Sequence, residues 1–278
     1  MPELPEVETT RRGVAPHLSG RVLAGWHVRN PNLRWPVTLP DSIREQPVVS
    51  VARRAKYLLI NLPAGALIVH LGMSGSLRIA DPNAAPGKHD HVDLLFTPDT
   101  VLRYNDPRRF GSIHWQRNPV MEHPLLRALG PEPLGLEFDG AYLKRQARGR
   151  RVGVKNFIMD AHVVVGVGNI YANEALFLSG LRPTARAGRV TRAGYERLAI
   201  AIRRVLGNAI AMGGTTLRDF VNSDGNPGYF QQSLYVYGRA GEPCRLCATP
   251  LKGIRTGQRA SVFCPTCQAA GNFGGRDV

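Results

Sequence analysis

No apolar run in this 278-residue chain approaches the roughly 18 consecutive residues that would cross a bilayer. The opening Met1-Pro2-Glu3-Leu4-Pro5-Glu6 is acidic, the opposite of the basic start of a secretion signal. No stretch has the basic amphipathic pattern of an interfacial helix either. A membrane partner is therefore not expected, and the cytoplasm or the nucleoid is the expected address. Internal repeats and low-complexity tracts are missing, which excludes a solenoid. Acidic residues are in short supply: 21 Asp and Glu face 36 Lys and Arg, a formal charge of +15. That excess is more than solubility requires, and a polyanion is its natural partner, bound with release of condensed counterions. What is present suits globular folding, with 43% hydrophobic residues and enough length for two domains, each with its own core.

Cysteine is scarce too. All four lie near the C-terminus, as Cys244-x-x-Cys247 and Cys264-x-x-Cys267 with sixteen residues between the pairs. Each knuckle delivers two thiolates from one tight turn, and the intervening segment is long enough for a β-hairpin that returns the second knuckle to the first. The spacing predicts one structural Zn²⁺, with four protein ligands leaving no position open for water. Two disulfides are the alternative, disfavoured by the missing secretion signal.

The pattern along the chain predicts a β-rich first half, a helical middle and a zinc ribbon. A short helix should follow Pro5, with Glu6 and Glu8 in its first turn, and end near Gly13 or His17. Strand-like runs rich in Val, Ile and Leu cover Arg21 to Arg29, Val48 to Asn61, Ala66 to Ala80, Val92 to Phe96 and Val101 to Tyr104. Many short strands with few helices predict a two-sheet sandwich. Beyond the Gly130-Pro131-Glu132-Pro133 linker the period becomes helical, over Ala141 to Ala147, Lys155 to Ala161, Asn169 to Leu178 and Thr191 to Met212.

Four local features carry possible chemistry. Trimming of an initiator Met before Pro would leave Pro2 as a secondary amine beside the Glu3 carboxylate. An α-amino group, with a pKa near ~8, is partly unprotonated at neutral pH. With an aldehyde it forms a charged iminium, a strong electron sink, and Glu3 could then move protons. The same residues also fit a terminus merely stiffened by Pro2 and Pro5. Gly166-Val167-Gly168-Asn169 precedes a helix whose free N–H groups could bind phosphate, with Asn as a cap; ordinary helix starts look the same. Just upstream, Lys144 to Lys155 holds six basic residues and no acidic one, either a nucleic-acid contact or a solvated face. Finally, His70-Leu71-Gly72-Met73-Ser74-Gly75 and Asp106-Pro107-Arg108-Arg109-Phe110-Gly111 are Gly-flanked turns that set Met73 and Phe110 beside cations. Such side chains can replace a base turned out of a duplex, or can equally lie in the sandwich core.

These segments, together with Pro2 to Thr9, Arg53-Arg54-Ala55-Lys56-Tyr57, Val165 to Tyr171 and the four-cysteine ribbon, resemble the formamidopyrimidine-DNA glycosylase family of bacterial 8-oxoguanine repair enzymes. They occur in family order from Pro2 to Cys267. The resemblance implies an α+β multidomain fold. Its parts are an N-terminal β-sandwich with a flanking helix (1–130), a helix-two-turn-helix domain (131–233) with a lesion loop at 215–231 containing Asp224 to Gly228, a zinc finger (234–268) and a flexible Gly-rich tail (269–278).

It implies damaged double-stranded DNA as partner, a monomeric enzyme, one structural zinc, and no redox or nucleotide cofactor. By resemblance, Pro2 attacks C1′ of the damaged nucleotide and expels the base, and Glu3 assists sugar opening and proton transfer. The 3′- and 5′-phosphates then leave by β- and δ-elimination. Lys56 matches a proton donor and phosphate contact, and Arg259 an arginine assigned to δ-elimination and strand binding. Met73, Arg108 and Phe110 match the triad that fills the vacated stack. His70, His89, Arg150, Lys155, Asn169 and Tyr237 match or lie close to DNA-contacting positions. Endonuclease VIII shares the proline chemistry but favours oxidised pyrimidines; the Glu-Leu-Pro-Glu start and the Met73, Arg108 and Phe110 arrangement argue against it. A non-enzymatic zinc-ribbon DNA-binding protein would account for charge and cysteines but not for Pro2-Glu3.

Overall fold

The computed structural model describes residues 2–214 and 234–274. The expected lesion loop at 215–231 lies outside the described residues, as do Met1 and residues 275–278. Of the described residues, 2–128 and 210–214 form one compact unit, and 129–209 with 234–274 form another.

The first unit opens with helix α1 (Leu4–Leu18), capped by Glu3 in a reciprocal box with Glu6. Nine strands follow, all paired antiparallel. One sheet joins β1 (Val22–Val28), β2 (Gln46–Pro47), β6 (Ser76–Ala80), β7 (Asp90–Thr97) and β8 (Thr100–Asn105) in the order β2-β1-β7-β8-β6. The other runs β3 (Ser50–Arg54), β4 (Tyr57–Leu62), β5 (Gly65–His70) and β9 (Ser112–Arg117). Period-2 alternation gives each sheet an apolar inner face. Leu58, Ile60 and Leu62 of β4 and Leu67 and Val69 of β5 share one core with Leu94 and Phe96 of β7 and with Leu102 and Tyr104 of β8. Val7, Val14 and Leu18, one stripe of α1, complete that core. Each such side chain contributes about 1.5–3 kcal/mol when fully buried.

Two expected strands are in fact two strands each. Val48 to Asn61 breaks at Ala55, whose φ of 55° turns the chain back through a two-residue hairpin pairing Arg54 with Tyr57. Ala66 to Ala80 breaks after His70, and its halves join different sheets. Strand β9 was not foreseen: in Ser-Ile-His-Trp-Gln-Arg only Ser112 and Ile113 are buried, so the apolar signal is thin.

The second unit contains α2 (Gly140–Gln146), α3 (Val154–Ile158), α4 (Asn169–Leu178), α5 (Arg192–Ala211) and the hairpin β10 (Lys252–Thr256) to β11 (Arg259–Phe263). Asp139 starts α2 by accepting the Tyr142 N–H at 2.6 Å. Helix α3 stops at Ile158, short of the expected Ala161. Helix α4 is capped by the backbone of Gly168, with Asn169 already its first residue, so Asn169 is not the cap expected of it. Of the tail expected to be flexible, residues 269–274 instead dock on this unit. Phe273 O accepts the Thr191 N–H at 2.9 Å, Arg197 donates to Gly274 O, and Arg189 lies 6.0 Å from the Phe273 ring.

Candidate active site and nucleic-acid interface

At the start of the first unit, Pro2 is buried and Glu3 is only 2% exposed. The Glu3 backbone N–H donates to Glu6 Oε2 at 2.8 Å while the Glu3 side chain accepts the Glu6 N–H. The capping box thus fixes the backbone next to Pro2 as well as the Glu3 carboxylate. Lys56 sits in the β3–β4 turn just after left-handed Ala55. Its neighbour Tyr57 pairs across β4 and β5 with His70, the ring centroids 4.9 Å apart.

His70 Nδ1 accepts the Gly72 N–H at 3.1 Å, which leaves the ring proton on Nε2 as a donor. Burial, with Lys56 and Arg34 nearby, lowers the His70 pKa to about 4, so the ring is neutral at neutral pH. His89 lies in the turn before β7, its ring 6.4 Å from that of His91.

The two Gly-flanked turns are held together by a buried carboxylate. Asp106 is fully buried; one oxygen accepts the Ser74 hydroxyl at 2.7 Å and the other accepts the Gly111 N–H at 2.8 Å and the Tyr104 hydroxyl at 3.2 Å. Ser74 Oγ in turn accepts the Arg108 N–H at 3.2 Å. Burial and the Asp106 charge push the Tyr104 phenol well above its ordinary pKa, which keeps it a donor. The turns touch backbone to backbone: a Cβ at Gly72, where φ is 63°, would strike Gly111 N and Phe110 C, and one at Gly111 would strike the Tyr104 hydroxyl.

Locked in this way, the turns present Met73 at 36% exposure and Phe110 at 44%, with the Arg108 guanidinium 4.9 Å from the Phe110 ring centre. Both apolar side chains are therefore outside the sandwich core. Arg34, His70, Gly72, Met73 and Phe110 line an open depression of about 440 Å³. Asp106, Tyr104 and Arg34 were not singled out from sequence. An Asp opening a turn beside Pro was the available signal for Asp106, but nothing local announces that it is buried.

In the second unit, Arg150 is exposed in the middle of the basic segment. Asn169 Oδ1 at the start of α4 is buried without a hydrogen-bond partner in the protein. Lys155 corrects an expectation. It is 0% exposed rather than presented at the surface, and its ammonium donates to Ala260 O at 2.8 Å and Ser261 Oγ at 2.6 Å, which ties α3 to the zinc hairpin.

The Gly257-Gln258 turn, with φ of 54° and 64°, places Arg259 at the exposed tip of that hairpin. Asn173 Oδ1 accepts the Val262 N–H at 2.9 Å. Buried Glu174 accepts the N–H groups of Tyr235, Val236 and Tyr237 at 2.8 to 3.0 Å, fixing the segment that carries Tyr237. Burial raises the Glu174 pKa against the opposing pull of those three hydrogen bonds. Sequence reading missed Glu174, although a lone acid in an otherwise apolar helix signals a buried partner.

Cys244, Cys247, Cys264 and Cys267 are unbridged, and their sulfurs all lie within 4.8 Å of one another. The separations include 3.4 Å for Cys247 and Cys264, 3.6 Å for Cys247 and Cys267, and 4.0 Å for Cys244 and Cys267. A tetrahedron with Zn–S of about 2.3 Å has edges of roughly 3.8 Å, whereas a disulfide needs about 2.05 Å. The four thiolates fit one structural zinc. Among the described residues no helix is long and apolar enough to cross a membrane.

Comparison with known proteins agrees along the chain. Residues 1–113 match the formamidopyrimidine-DNA glycosylase N-terminal domain, 129–221 the H2TH domain of the same enzyme, and 241–270 a zinc finger found in FPG and IleRS. The formamidopyrimidine-DNA glycosylase of Hahella chejuensis is 59% identical over 270 residues, covering 96% of this chain and all of the relative. The crystal structure of the MutM (Fpg) protein from Thermus thermophilus is 38% identical with a TM-score of 0.87, covering 97% of this chain and 100% of that one. A complex of a Lactococcus lactis FPG mutant with Fapy-dG containing DNA is 31% identical with a TM-score of 0.89, covering 96% of this chain and 100% of that one. With the capped Pro2-Glu3 start, the paired turns and the four-thiolate cluster all found where these matches run, the chain belongs to the formamidopyrimidine-DNA glycosylase family.

Proposed function

We propose that this protein is a bifunctional DNA glycosylase and abasic-site lyase of base excision repair, removing 8-oxoguanine and formamidopyrimidines from duplex DNA through Pro2. Once Met1 is removed, the Pro2 nitrogen bonds to C1′ as the bond from C1′ to the base breaks and the base departs with a proton. The nitrogen lone pair then opens the sugar: C1′–O4′ breaks, O4′ takes a proton, and a charged iminium remains. Glu3, fixed by its capping box, is the group beside that nitrogen suited to handle the O4′ proton. Loss of the acidified C2′ proton expels the 3′-phosphate, and a second elimination expels the 5′-phosphate. Water finally releases Pro2. Lys56 serves as proton donor and phosphate contact in the first elimination, and Arg259 contacts the strand during the second.

The observation that carries the reading is the Asp106-locked pair of turns, which holds Met73, Arg108 and Phe110 outward instead of packing them in the core. That is the requirement for filling a duplex stack from which a base has been turned out. Neutral His70 offers its Nε2–H to a phosphate, and His89, Arg150, Asn169 and Tyr237 complete the strand contacts. The division of labour follows the expected parts: 1–130 for chemistry, 131–233 and the zinc finger at 234–268 for binding. The protein acts as a monomer in the cytoplasm, on nucleoid DNA.

Borohydride added to mature protein and an 8-oxoguanine duplex should trap a covalent adduct that peptide mapping places on Pro2, and blocking the terminal amine should abolish it. An adduct on any lysine would overturn the assignment. Faster excision of thymine glycol than of 8-oxoguanine would overturn the substrate class.

A further inference from the structure

Glu8 lies just over one helical turn beyond Glu3 on α1 and is mostly buried, as is Arg53 on β3, with side-chain exposures of 13% and 11%. Arg53 Nε donates to Glu8 Oε2 at 3.2 Å, while Arg53 Nη1 donates to the carbonyl of Ala55 at 2.8 Å. The remaining acceptor capacity of Glu8 is taken by Arg11 at 2.8 Å and Arg12 at 3.0 Å, both on α1. Burial alone would raise the Glu8 pKa, but hydrogen bonds from Arg11 and Arg12 and the charge of Arg53 bring it below the ordinary carboxylate value.

A pair whose only task was to fasten α1 to β3 would gain most from a two-pronged guanidinium–carboxylate contact. Arg53 instead gives the carboxylate its Nε–H and turns Nη1 to the carbonyl of Ala55, a residue at φ 55°, a conformation that L-residues rarely adopt. The next residue is Lys56. A continuous line of bonds thus runs from the helix capped by Glu3, through Glu8 and Arg53, to the turn that carries the lysine.

We propose that Glu8 and Arg53 are positioning residues that hold the Lys56 turn in register with the helix bearing Pro2 and Glu3. They act on strand cleavage, in which Lys56 takes part, and little on formation of the Pro2 adduct. The proposal rests on the roles given above to Pro2 and Lys56.

The test uses full-length mature protein on a duplex with a preformed abasic site. The rate of borohydride trapping and the single-turnover rate of strand cleavage are measured on the same preparation, so that their ratio cancels any inactive fraction. Arg53→Gln should lower the cleavage-to-trapping ratio about tenfold, since small misplacements of a catalytic group cost one to two orders of magnitude. Arg53→Lys should retain part of it, because an ammonium keeps the charge but cannot span both acceptors as a planar fork does. Adding Glu8→Gln to Arg53→Gln should change the ratio little further, the two residues acting through one link. An unchanged ratio in Arg53→Gln, alongside a reduced one in Lys56→Met, would overturn the positioning role and leave the Lys56 role standing. An unchanged ratio in Lys56→Met, or no trapped adduct in the wild type, would instead refute the underlying reading, and the proposal with it.

Discussion

Phe110 and Pro2 should fail in different ways when changed. Phe110 is exposed, stacked by Arg108 and outside the core, so its proposed work is to stabilise a strand missing one base from its stack. Phe110→Ala should slow excision of 8-oxoguanine from duplex DNA about tenfold or more, roughly 1.4 kcal/mol. Cleavage at a preformed abasic site, where no base needs extracting, should be largely spared. Pro2→Gly keeps a terminal amine but replaces a ring-constrained secondary amine with a flexible primary one, so both activities should fall together. Equal losses on both substrates for Phe110→Ala would show that the turn is structural.

His70 supplies a second test at this scale. Its folded pKa of about 4 lies below the ordinary 6.5, so between those values the unfolded chain takes up a proton that the folded protein does not. Stability therefore falls as pH drops from about 6.5 to 4. Thermal unfolding of His70→Gln should lose less over that window than the wild type, and parallel curves would refute the shift. The outward placement of Met73 and Phe110 was legible in sequence only through the family resemblance, since their local pattern equally fits a core position. The burial of Lys155 was not, since its ammonium is satisfied by Ala260 and Ser261, more than a hundred residues away.

Among the elements, helix α4 and the two cysteine knuckles could be read almost to the residue, because each carries its signal locally: Gly168 before an apolar run, and C-x-x-C turns. The sandwich strands were readable as apolar runs but not as hairpins. Ala55 takes left-handed φ without being Gly or Asn, so the β3–β4 turn has no compositional mark, and β9 places His114 and Gln116 where alternation alone carries little weight. The zinc hairpin is the element whose removal should be most informative. Val236, Leu251, Val262, Cys244, Cys264 and Cys267 form a small core against Phe177, too little apolar surface to order a two-stranded hairpin alone. Cys264→Ser, or prolonged chelation, should weaken binding to an abasic-site duplex at least about tenfold by releasing the hairpin that carries Arg259, metal binding being coupled to local folding. Metal analysis should return one zinc per chain for the wild type. Undiminished affinity in a zinc-free protein would separate the hairpin from DNA binding.

For the whole molecule, a charge of +15 distributed over units that include an unopposed basic segment from Lys144 to Lys155 sets how binding responds to salt. The affinity logarithm should fall linearly with the logarithm of salt concentration, with a slope of about −0.9 per phosphate neutralised. If six phosphates are contacted, raising salt from 50 to 200 mM should cost about a thousandfold in affinity for a duplex bearing an abasic analogue. The chemical steps should respond differently. Once the duplex is saturated, adduct formation depends on the local geometry at Pro2 and Glu3, where the capping hydrogen bonds are short and buried and little screened by ions. Single-turnover trapping at saturating protein should accordingly change less than about threefold over the same salt range, a residual effect of the order expected for screened surface charges. A cost in affinity below tenfold would mean that the basic excess is a solvated surface and that recognition rests on the turns bearing Met73, Arg108 and Phe110. A trapping rate that fell in parallel with affinity would mean instead that strand contacts assemble the reactive end of the molecule, making binding and chemistry one event.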